Sequence, residues 1–357
     1  MGAVRSGMHA KLRDFLKLLL LVLVVLFGVE AAARLMSWPA AARATISGPA
    51  DALLAAKRAQ GNPFVLVLGD SVMGSSAMES AGVADAYINA IPWQFERMLK
   101  PVSVNVTVTN LAMDGALVGD YLGLLQLLTE HQLRPAAAVI QVDYRLLSPL
   151  HDNEDRGNFS RAWLLPYVAP WTGLLTLPNR VISPSERPID DIVGRSMLLR
   201  SDAYLRLRNL HARFLAAQPA AIADANRGKH AEAVRLTVGR YYLNESDITA
   251  GATLSAFAAL MDRLRSMAIP TVVCFTPANP GFLGDQLNQP VYAYNVHAFG
   301  EWFRRRYGST PFLRLVSLEN IFADADFLDH SHLTAAANAR AAKIMFDEFV
   351  LLNQRRN

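Results

Sequence analysis

Five short apolar runs, set apart by helical patterns, constrain this chain more than any other feature. "PFVLVLG" (63–69) is β-rich and short, the signature of a buried strand. "VSVNVTVTNLA" (102–112) alternates apolar and polar residues, as a half-exposed strand does. "AAAVIQVDY" (136–144), "IPTVVCFTP" (269–277) and "FLRLVSLEN" (312–320) complete the set. Helical patterns occupy 84–100, 116–131, 253–268, 292–308 and 333–352, with Pro92 marking a break or a first turn. Strands that alternate with helices pair in parallel and carry helices on both faces. The expected fold is therefore α/β, a three-layer sandwich around a five-stranded parallel sheet.

Residues 150–250 interrupt this rhythm. The polar "HDNEDRGNF" opens the interval, and Leu199, Ala203, Leu207, Leu210 and Phe214 later recur at helical spacing with arginines between them. This interval reads as a mostly helical insertion between two halves of one domain, 63–149 and 251–357. Its arginine-bearing helix (196–217) is a solvated amphipathic face or, less simply, a polymer-binding surface. Residues 39–62, rich in Ala, Gly and Pro, read as a linker.

The N-terminus has its own logic. Leu18 to Val29 is uninterrupted and apolar, and Arg5, Lys11, Arg13 and Lys17 precede it. Basic residues stay on the cytoplasmic side, so the chain beyond Arg34 is expected to be exported. A spanning helix needs about 20 residues. Phe15 to Ala33 reaches that length if Lys17 and Glu30 snorkel at the interfaces. The rival is a cleaved signal peptide, for which "EAAAR" and "PAAARA" offer small-residue sites. Residues 1–38 are read as a cytoplasmic tail and signal anchor, with the rest periplasmic or extracellular on a single-pass protein of the inner membrane.

The rest of the composition mainly excludes. A net charge of +4 without any nucleic-acid motif gives no reason to expect a nucleic-acid partner. The single cysteine, Cys274, forbids an intramolecular disulfide and removes zinc and dithiol readings; within "TVVCF" it is a core thiol. No metal-ligand cluster or phosphate-cradling glycine loop is present in the sequence, and no cofactor is expected. "NFS" at Asn158 and "NES" at Asn244 match a glycosylation pattern that is frequent by chance. His211 and His297 lie on helical stretches as ordinary residues.

In an open parallel sheet, sites form beyond the carboxyl ends of the strands. Ser71 follows the first strand in "GDSVMG". Near the other end of the chain, "FLDHSHLTAAANA" sets Asp329 three residues before His332, between the last strand and a last helix for which Thr334 is a natural N-cap. A serine hydroxyl needs a base to become a nucleophile, histidine suits that role, and a carboxylate fixes the histidine tautomer. Ser71, His332 and Asp329 supply those parts; His330, spaced to pair with Asp326, is the rival base. Asp70 is read as a hydrogen-bond partner in its own turn.

With these residues the chain resembles the SGNH (GDSL-like) hydrolase superfamily over roughly 62–145 and 250–350. The first family block is met by Gly69-Asp70-Ser71, with Gly74 also in a familiar place. The second is met by "NLAMDGA", where Asn110 precedes Gly115, and the last by Asp329 and His332 with the following "LT". The resemblance implies a flavodoxin-like sheet and an oxyanion hole built from the amides of Ser71 and Gly115. The third block, Gly-x-Asn-Asp after the third strand, is where this chain departs: after "AVIQV" it reads "DYRLLS". The family's asparagine donates to the oxyanion, whereas an ionised Asp143 accepts only. Losing one such donor costs about 2.7–4 kcal/mol of transition-state stabilisation. Either Tyr144 or Arg145 supplies the donor, or the two amides suffice, or the site is not hydrolytic.

The implied function is an extracytoplasmic serine esterase or O-acyltransferase working through an acyl-enzyme on Ser71. Its implied substrates are O-acetyl groups of cell-envelope or extracellular polysaccharide, and a multi-spanning membrane acyltransferase is an implied partner. The contrasting expectation is a non-catalytic accessory protein that binds polysaccharide or a membrane partner through the same fold. A secreted lipase is a third reading, requiring a long apolar acyl pocket.

Overall fold

The computed structural model describes residues 62–83, 85–102, 106–148, 252–288 and 290–354, with Lys17, Val24, Val25, Gly28, Ala52, Ala55, Ala56 and Leu164. The chain divides into two compact units, Met1–Ala44 with Pro188–Ala223 and Thr45–Arg187 with Asp224–Asn357, and the fold below belongs to the second. The expected anchor, linker and insertion lie almost wholly outside the described residues. Among the described residues, no helix is long and apolar enough to cross a membrane.

The sheet comprises β1 (Phe64–Leu68), β2 (Thr107–Asn110), β3 (Ala137–Val142), β4 (Thr271–Phe275) and β5 (Leu313–Ser317). All neighbours are parallel, in the order β2-β1-β3-β4-β5. The continuous apolar runs became the central strands, buried at every position in β1, β3 and β4. β2 and β5 are half-exposed because they are the edges. Of the expected strand at 102–112, Thr107–Asn110 is strand and Val102 is exposed in a turn, while 103–105 lie outside the described residues. The third strand ends at Val142, two residues earlier than expected, because Asp143 caps a new helical turn.

Around the sheet, in chain order, lie α1 (Ser76–Ser80), α2 (Ile91–Leu99), α3 (Val118–Glu130), α4 (Tyr144–Leu147), α5 (Ala252–Ser266), α6 (Gly284–Leu287), α7 (Pro290–Tyr307) and α8 (Ala335–Gln354). The helical pattern at 84–100 splits into a 3-10 turn (Ala86–Asn89) and α2, with Pro92 in the first turn, where its missing N–H costs nothing.

Alternation along β1 divides the core in two. Phe64, Leu66 and Leu68 pack with α3, α5 and α7 on one face. Val65 and Val67 join Ile91 and Phe95 of α2 and Ala341, Met345 and Phe349 of α8 on the other. Cys274 belongs to this second layer, and burial pushes its thiol far above the usual range, as a core thiol requires. The connection from β1 to β2 uses α2, and the return over β1 to β3 uses α3 on the opposite face. Right-handed crossovers that reverse direction must change faces this way. The reversal falls between β1 and β3, and doubly wound sheets bind ligands beyond the carboxyl ends of the strands at such a point.

Candidate active site

β1 runs straight into the turn that carries Ser71. A Cβ on Gly69 would lie 2.6 Å from Met73 Cγ and 3.2 Å from Gln141 Cβ, so only glycine lets the chain turn here. Asp70 then caps a 3-10 turn, Ser71–Met73, accepting through Oδ1 from the Val72 N–H at 2.8 Å. The Asp70 N–H donates to Gln141 Oε1 at 2.8 Å, and Gln141 Nε2 donates to Thr276 Oγ1 at 3.2 Å. Gln141 thus ties the ends of β1, β3 and β4 together. Sequence reasoning passed over it, although a lone amide inside a buried strand must find partners.

Asp329 and His332 occupy a closed loop before α8. Phe327 and Leu333 form an antiparallel bridge, and the Leu328 N–H donates to the His332 carbonyl at 2.7 Å. Asp329 Oδ1 accepts from the Ser331 and His332 N–H groups, both at 2.9 Å. Asn279, after β4, clamps the loop from the sheet side: its Nδ2 donates to the Asp329 carbonyl at 2.8 Å and its N–H to the His330 carbonyl at 2.9 Å. No motif marked Asn279, because its partners lie some fifty residues away. Thr334 caps α8, its hydroxyl accepting from the Ala337 N–H at 3.4 Å.

These loops meet above the sheet edge. His332 Nε2 lies 2.8 Å from Ser71 Oγ, and Nδ1 lies 2.7 Å from Asp329 Oδ2. The tautomer that satisfies both contacts carries its proton on Nδ1 and accepts the serine proton at Nε2. Burial opposes the imidazolium of His332, but the Asp329 hydrogen bond and charge outweigh it and raise His332 above the ordinary value. Partial burial likewise opposes ionisation of Asp329, yet His332 and the Ser331 N–H hold it well below the carboxylate range.

The rival base is placed otherwise. Burial first, with the nearby Arg145 and His332 charges, pushes His330 down to about 4. Its Nδ1 is 3.7 Å from Asp329, and Asp326 pairs instead with Arg340 at 2.6 Å.

The second-block residues divide. Gly115 has φ +67°, and a Cβ there would meet nothing within 4 Å, so its backbone borders open space in a conformation that favours glycine. Its loop is held to the Ser71 turn by the Met113 N–H, which donates to the Gly69 carbonyl at 3.0 Å. Asn110 is exposed and accepts from the Ala112 N–H at 3.0 Å; no described contact joins it to Ser71, Asp329 or His332.

The third-block positions also separate. Tyr144 is buried in the core beside Tyr292, with ring centroids 4.8 Å apart, and its hydroxyl accepts from Asn295 Nδ2 at 2.9 Å. Its ring and hydroxyl thus lie in the core, against Tyr292 and Asn295. Arg145 donates to Asp70 Oδ2 at 3.1 Å and stands 3.9 Å from Asp143 Oδ2. Asp143 caps α4, its Oδ1 accepting from the Leu146 N–H. Burial pushes its carboxyl up to about 6, against the pull of Arg145. Beyond β5, burial raises Glu319 to about 7, with Tyr292 opposing and the Asp143 charge adding to the rise.

No protein-family model matches the chain, and no curated protein matches it.

Proposed function

We propose that the chain is an SGNH-type serine esterase or O-acyltransferase. The observation that carries this reading is the unbroken contact from Ser71 through His332 to Asp329, 2.8 and 2.7 Å long. Ser71 Oγ attacks an ester carbonyl while His332 Nε2 takes its proton. The tetrahedral adduct collapses to an acyl-enzyme as His332 returns that proton to the leaving alcohol. Water then completes hydrolysis, or a sugar hydroxyl completes transfer.

The basic, apolar N-terminus supports an exported and membrane-anchored protein of the inner membrane, with this domain in the periplasm or outside the cell. The substrate class we favour, by family resemblance, is O-acetyl groups on cell-envelope or extracellular polysaccharide. A multi-spanning acyltransferase is the matching acyl donor partner. A non-catalytic polysaccharide-binding or membrane-accessory role is the second reading, favoured by the buried Asp143 where a donor is expected.

Detergent-solubilised full-length protein should hydrolyse p-nitrophenyl acetate and take a fluorophosphonate label. Ser71→Ala should lose the label and at least about 10⁴-fold of the rate. Absence of both turnover and label in the wild type would favour the accessory reading. Undiminished activity in Ser71→Ala would remove Ser71 as nucleophile.

A further inference from the structure

The register of β1 on β3 pairs Leu68 with Ile140. Beyond these paired strands the Ser71 turn follows β1 and Asp143 follows β3, at the same end of the sheet, and the Asp70–Gln141 hydrogen bond ties the two strand ends together. Asp143 is the first side chain beyond β3, close enough to Asp70 and His332 for their charges to act on it. Its two oxygens differ. Oδ1 is taken by the Leu146 N–H. Oδ2 is buried without a hydrogen-bond partner, and the Arg145 guanidinium 3.9 Å away is turned to Asp70. A buried, unpartnered carboxylate oxygen is costly, and a proton placed on it removes the charge and creates a donor.

We propose that Asp143, as the carboxylic acid, is a catalytic hydrogen-bond donor: its Oδ2–H donates to the oxyanion formed when Ser71 attacks the substrate carbonyl. This rests on the serine-nucleophile reading above. In that step the Ser71 Oγ–carbon bond forms, the carbonyl π pair moves onto oxygen, and the serine proton passes to His332 Nε2. Asp143 keeps its proton throughout. An acid thus stands where the family's asparagine would.

The groups facing Asp143 make this titratable. They are Arg145 on its own helix, Asp70 after β1, Tyr121 on α3, His332 before α8 and Glu319 after β5. Burial is the largest influence and lifts the carboxyl to about 6; Asp70 adds, while Arg145 and His332 oppose. Catalysis then needs Asp143 protonated and His332 neutral, and the two requirements run in opposite directions with pH. The rate of the wild type should peak in mildly acidic to neutral solution, with an alkaline limb that belongs to Asp143.

Asp143→Asn keeps the cap on α4 and supplies an amide donor at every pH. At pH 8, two units above the Asp143 value of about 6, only about one wild-type molecule in a hundred holds the proton. Asp143→Asn should therefore lose the alkaline limb and gain on the order of 10- to 100-fold in kcat/KM for p-nitrophenyl acetate at pH 8. Asp143→Ala should be slow at every pH, with a thermal midpoint measured beside it to confirm folding. An unchanged pH profile in Asp143→Asn, or a slower rate at both pH 6 and pH 8, overturns the proposal. Fluorophosphonate labelling separates the two readings. Labelled Ser71 with an unchanged Asp143→Asn profile defeats the donor role alone, whereas no label on the wild type defeats the nucleophile and the donor together.

Discussion

The two sides of the candidate site are finished to different degrees. On one side, His332 is engaged through both ring nitrogens, and Asp329 holds two backbone N–H groups as well as the imidazole. On the other, Asp143 Oδ2 and His330 Nε2 are buried without hydrogen bonds. In the proposed mechanism the relay must be ready before substrate arrives, because a misplaced base loses rate steeply, and its contacts are complete in the free chain. A group that serves a charge existing only in the transition state has nothing to bind until then. On the proposed mechanism the contrast separates the relay that prepares Ser71 from Asp143, which awaits the oxyanion.

Asp329→Asn breaks the finished side and carries the largest effect after loss of Ser71 itself. An asparagine can present its NH₂ to Nδ1 and turn His332 to the wrong tautomer, so kcat should fall about 10⁴-fold. The sign of the pH effect is set by the raised His332. Its neutral, active form dominates only above its pKa, and removing the Asp329 charge lowers that pKa. The acid limb of kcat/KM should therefore move to lower pH, which a pH–rate series would reveal; a limb that stays in place removes His332 as its source.

Gln141→Leu uncouples the two sides with a smaller loss. It strips the buried Asp70 N–H of its acceptor, a change of about 1–3 kcal/mol. The thermal midpoint and kcat should fall together, because the same bond aligns the nucleophile turn; an unaltered kcat would detach Gln141 from the site. Thr334→Ala is the mildest. A cap of this kind is worth about 0.5–2 kcal/mol, and its 3.4 Å contact argues for the low end. A small drop in the midpoint with unchanged pH limbs is expected, and a shifted acid limb would show that α8 itself orients His332.

Much of the sheet was legible because buried parallel strands read as apolar runs, and β1, β3 and β4 are such runs. At the edge strand β2 the ends were misjudged, with Val102 in a turn and Leu111 and Ala112 beyond the strand, since alternation does not show where a partner strand begins and ends. Ser71, Asp329 and His332 were legible because each sits at an element boundary with a distinctive neighbour. Gln141 and Asn279 were not, because a single amide carries no periodicity and its partners are chosen in space. Tyr144 and Arg145 looked equivalent as replacement donors in the string "DYR"; one turn of helix sends the first into the core and the second to Asp70.

By itself the sequence determined the alternation of strand and helix, the edges of the apolar runs and the residue types that could form a relay. These follow from local periodicity and from chemistry each residue carries wherever it lies. The tertiary structure alone decided that Ser71 and His332, 261 residues apart, stand 2.8 Å from one another, and that Asp326 is spent on Arg340 while His330 stays unprotonated. It also decided that Asp143 lies in an environment that favours its acid form. Burial, strand register and the direction of a side chain are properties of neighbours brought together by folding, and no local pattern encodes them.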